Sequence, residues 1–136
     1  MKKIIIPLIF IFLLLSTHTL FAEDIDPAYL AETKECQFTP ELKELAKELE
    51  YDPVKIYNWV YENVEYEDWY FGSQKGAYGT YLTKRGNAWD QCSLLIALLR
   101  ICGISTRYVY NKESGRNDYS YVEALISIDN YRGNGN

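Results

Sequence analysis

Thiols are the most reactive side chains this sequence offers. Three are present: Cys36, Cys92 and Cys102. A cysteine becomes a nucleophile when a helix N-terminus or a neighbouring imidazolium lowers its pKa. The imidazole is the difficulty. The chain has one histidine, His18, inside a segment that reads as an export signal. The exported chain would therefore contain none. That excludes an imidazole base and any site built on His ligands. None of the cysteine spacings is a CxxC, so zinc binding and thioredoxin-like chemistry have no support. No metal and no cofactor are expected.

The signal reading rests on layout. Lys2 and Lys3 form a positive start, Ile4 to Leu15 an apolar run interrupted by Pro7, and Ser16 to Ala22 a more polar end. A secretory signal has this order. The apolar run is short for a membrane helix, which needs about 20 residues. Residues 1–22 are thus expected to be removed, and an uncleaved anchor would be the only membrane contact. The expected location is periplasmic or extracellular. In such an oxidising compartment an odd number of cysteines leaves at least one thiol without a partner in the chain. Spacing does not choose the pair. Cys102 is expected either to pack or to bridge to Cys36.

Of 136 residues, 14 are Lys or Arg and 19 are Asp or Glu. Loss of Lys2 and Lys3 would leave a net charge of −7 on residues 23–136. An acidic chain repels phosphate backbones, so nucleic acid is not an expected partner. The length suits one domain. Charged residues at 24% and aromatics at 15% argue against general disorder.

The elements that must position the thiols follow from periodicity and breaks. Residues 23–39 read as an irregular, acidic lead-in, and residues 40–136 as the domain. Leu42, Leu45, Ala46 and Leu49 have helical spacing after Pro40. Asp52 and Pro53 restart the chain as cap and first helical residue of a helix running to about Tyr66. Residues 67–86, with four glycines, read as a loop of about 20 residues. Trp89 to Cys102 is apolar on most sides and reads as a buried central helix, closed by Gly103. Ser105–Asn111 and Tyr119–Ile128 read as strands, separated by a polar turn. Helices followed by antiparallel strands give an α+β class. Two strands make a poor sheet, so the sheet reads as incomplete. Its open edge invites pairing with a second copy.

Several stretches carry a family resemblance. They are DPVKIYNWVYENVEYE (52–67), GSQKGAYGTYLTKRGN (72–87), DQCSLLIALLRICGISTRYVY (90–110) and YSYVEALI (119–126). Together they resemble the transglutaminase-like superfamily, which has a papain-like fold. The resemblance implies a degenerate member with a short C-terminal end, whether natural or a fragment of a longer protein. The family's chemistry is thiol acyl transfer or peptide hydrolysis. It uses a Cys at the N-terminus of the central helix, a His on one strand and an Asp on the next.

Carried over position by position, that triad fails. The family's Gly-x-Cys-x-Asp pattern falls on Gly86-Asn87-Ala88-Trp89-Asp90, so Ala88 stands where the nucleophile belongs. The family's His falls on Tyr119, and its Asp has no counterpart in the sequence. Cys92, one turn after Ala88, points to the same side of the helix. It is either a replacement nucleophile or a small apolar filler. Trp69, Tyr70, Tyr78, Tyr81 and Trp89 are candidate ligand contacts, since aromatics beside a cleft can stack on sugars or grip a peptide. They are equally candidates for packing. Asp90 is expected either to cap the central helix or to hold a polar group in the cleft. The function expected is an exported, catalytically inactive domain that binds a peptide, a protein or a cell-wall-related glycan. A thiol enzyme using Cys92 is the alternative.

Overall fold

A computed structural model describes residues 25–111 and 119–126, with side chains at 25–110 and 120–126. The expected signal, the polar turn at 112–118 and the tail from 127 lie outside the described residues. After a single 3-10 turn at Pro27–Tyr29 the order is α1 (Pro40–Glu48), α2 (Pro53–Asn63), β1 (Glu65–Tyr66), α3 (Gly76–Thr83), β2 (Arg85–Gly86), α4 (Ala88–Ile101), β3 (Thr106–Asn111) and β4 (Tyr119–Ala124). The α+β order is the expected one. Among the described residues, no helix is long and apolar enough to cross a membrane.

Local chemistry sets most helix ends. The Thr39 hydroxyl accepts from the Leu42 N–H at the start of α1. The Asp52 carboxylate accepts from the N–H groups of Val54 and Lys55 at the start of α2. Each is followed by proline in the first turn, where a missing N–H costs nothing. Both α1 and α4 end in Schellman geometry. At α4, Gly103 donates to the Arg100 carbonyl and Ile104 to that of Leu99, with Gly103 at φ +77°. At α1 the same bonds run from Glu50 to Lys47 and from Tyr51 to Ala46. There a glutamate holds the left-handed position, at φ +58°.

The core is built on α4. Leu94, Ile96, Ala97 and Leu98 are fully buried and packed against Leu42 and Ala46 of α1 and Ile56 of α2. Burial of each large side chain contributes roughly 1.5–3 kcal/mol. β3 and β4 form an antiparallel pair in the register Thr106–Ala124 to Asn111–Tyr119, and both lie on α4. Arg100, nearly buried near the C-terminal end of α4, donates to the Thr106 carbonyl and to the Ala31 carbonyl. One guanidinium thus ties the start of β3 and the N-terminal strap to the helix.

Two expectations need correction. α2 stops at Asn63, not near Tyr66, because Glu65–Tyr66 pair in parallel with Arg85–Gly86. The stretch 67–86 is not one long loop, since α3 and β2 lie within it. The lead-in is irregular, as its sequence suggests, and packed against the domain: Cys36 is fully buried and the Glu35 carbonyl accepts from the Ala77 N–H at 2.7 Å. A Cβ at Gly76 would sit 2.9 Å from that same carbonyl, so the strap and α3 touch through a glycine. All three cysteines are free thiols. Cys36 contacts the Tyr108 hydroxyl at 3.4 Å, and Cys102 donates to the Leu98 carbonyl. Of the two expectations for Cys102, packing is the one observed.

The two Schellman ends make opposite predictions. No atom lies within 4 Å of a Cβ built at Gly103, so Gly103→Ala changes only backbone strain and should lower stability by about 1 kcal/mol. Glu50→Gly should relieve strain and raise stability by roughly 0.5 kcal/mol. Urea denaturation of both variants checks the signs; a stabilised Gly103→Ala would refute the assignment of this helix end.

Candidate functional site

The start of α4 is where the sequence places the chemistry. Asn87 caps this helix, its side-chain oxygen accepting from the Asp90 N–H at 3.0 Å. Its side-chain amide also donates to the carbonyls of Tyr70 and Gly72. The cap is therefore Asn87, and the expectation that Asp90 caps α4 is corrected. Asp90 points the other way, fully buried. Its Oδ1 accepts from the N–H groups of Gln74, Lys75 and Gly76, at 3.0, 3.0 and 3.1 Å, and from the Ser73 hydroxyl at 2.9 Å. Its Oδ2 accepts from the Tyr70 hydroxyl at 2.6 Å. A negative carboxylate here satisfies the free donors at the start of α3 and complements that helix's dipole.

The opposite face of α4 lines an open cleft of about 460 Å³. Ala88, Gln91, Cys92, Leu95 and Leu99 form its floor. Pro53, Tyr57, Val60 and Tyr61 of α2 form one wall, and Ser120 to Val122, Ala124 and Ile126 the other. The volume is in the range of ligand sites, roughly 300–1,000 Å³. Ala88, in the first turn of α4, offers no reactive group. Cys92 is 8% exposed, and burial pushes its thiol up to about 11. The neighbouring Ser120 hydroxyl opposes that shift. At neutral pH Cys92 is a protonated thiol, a poor nucleophile. Tyr119 has its backbone at the end of β4, opposite Asn111; its side chain lies outside the described residues.

The aromatic candidates separate into three groups, none of which lines the cleft. Tyr70 is bonded to Asp90, with Trp69 edge-on against it at 4.7 Å and largely exposed. Trp89 packs with Phe71, Tyr108 and Tyr110. Tyr78 and Tyr81 stack beside Trp59, and the Lys84 ammonium lies over the Trp59 and Tyr81 rings at 4.3 and 3.9 Å. The cleft's own aromatics, Tyr57, Tyr61 and Tyr121, escape sequence reasoning. The signal available was their exposure on α2: Tyr57 and Tyr61 are four apart and fall outside the stripe that contains Ile56 and Val60. Among the described residues, no cluster of three or more His, Cys, Asp or Glu side chains could hold a metal ion.

Removing the Asp90 carboxylate should unmake the start of α3. Asp90→Ala leaves several buried donors without an acceptor and should cost about 3 kcal/mol or more, with loss of helical circular dichroism. Tyr70 adds a pH signature. Burial first, and then the bond to Asp90, raise its hydroxyl to about 12. A raised folded pKa gives stability that is complete below the ordinary value near 10 and is lost as pH rises towards 12. Unfolding free energies measured from pH 9 to 12 should fall for the native chain and fall less for Tyr70→Phe. Parallel curves would sink the assignment.

Comparison with known proteins agrees with this geometry. The description "transglutaminase-like superfamily" matches residues 37–132. A solved structure of a proposed cysteine protease from Cytophaga hutchinsonii is 30% identical, with a TM-score of 0.63 over 76% of this chain. The matched region is 39% of that protein's length, so this chain corresponds to less than half of it. No curated protein matches the chain. The family match runs over more than half of the sequence and includes α1 to β4. The chain belongs to the transglutaminase-like superfamily and has its papain-like α+β fold.

Proposed function

We propose that this is a non-catalytic transglutaminase-like domain that binds an extended peptide in the cleft between α2, α4 and β4. The observation that carries this is the state of the thiol face. Ala88 stands at the helix start, where the dipole would stabilise a thiolate. The thiol that is present, Cys92, lies a turn further in, buried and raised to about 11. Acyl transfer by a thiol needs the thiolate and a base to generate it, and the sequence has no histidine besides His18. The cleft's walls are largely apolar and carry three exposed tyrosines. A fold can keep its site and change what the site does. The signal-like residues 1–22 support an exported protein, which cell fractionation with and without that segment would test.

Purified protein should show no turnover of peptide or glutamine acyl-donor substrates, and Cys92→Ala should behave as the native chain. Iodoacetamide at pH 7.5 should label Cys92 slowly in the folded protein and rapidly in urea. Turnover abolished by Cys92→Ala, together with fast native labelling, would replace this reading with that of a thiol enzyme.

A further inference from the structure

We draw no further inference here: the strongest candidate, the surface cluster between α2 and α3 in which the Lys84 ammonium lies over the Trp59 and Tyr81 rings, is a contact within the chain that packs the two helices together, and nothing in the structure shows what covers it.

Discussion

One buried carboxylate organises the upper half of this domain. Asp90 sits on α4, but its five acceptor bonds all go to residues 70–76. Without it, α3 would have little reason to form. Its sequence, Gly-Ala-Tyr-Gly-Thr-Tyr-Leu-Thr, sets two glycines and four β-branched or aromatic residues, weak helix formers, against one alanine and one leucine. The residue before it, Lys75, provides no side-chain cap. The cap comes instead from the buried Asp90 side chain, 14 residues beyond Gly76. The network also continues inwards. The Ser73 hydroxyl meets Ser93, Ser93 meets the Tyr108 hydroxyl at 2.6 Å, and Tyr108 reaches Cys36 on the strap. A single polar chain therefore joins the loop, the central helix, β3 and the N-terminal segment. Such a network is favourable only when every member is satisfied, which ties these four parts together.

How much of this was legible follows from where each signal lies. Asp52-Pro53, Pro40 and Gly103 act on their own neighbours, and the ends they predict are the ends observed. The central helix was legible because its apolar run needs no partner to be recognised. α3 was not, because its cap is distant in sequence. β1 and β2 were not, because two-residue strands carry no periodicity and pair across about 20 residues of chain. The strap was read as irregular, which is true of its backbone; its burial depends on Arg100 and on Gly76, neither of which advertises that role. At the site, Ala88 and Cys92 could be placed by counting along the helix. Tyr57 and Tyr61 could not, since an exposed tyrosine on a helix looks the same whether or not a cleft lies beside it.

The geometry of α4 also separates the residues that hold the fold from those that line the cleft. At about 100° per residue, Asp90, Ser93, Leu94 and Ala97 fall on one side. Ala88, Cys92, Leu95 and Leu99 fall on the other, roughly 180° away. The first set carries the polar network and much of the core. The second lines the open cleft. The Ala88 methyl group takes part in no bond of the first set, and the Asn87 cap does not depend on it. The cleft face is therefore free to change its chemistry at little cost in stability. What the described residues place there is a cleft with an apolar floor, walled by α2 on one side and β4 on the other.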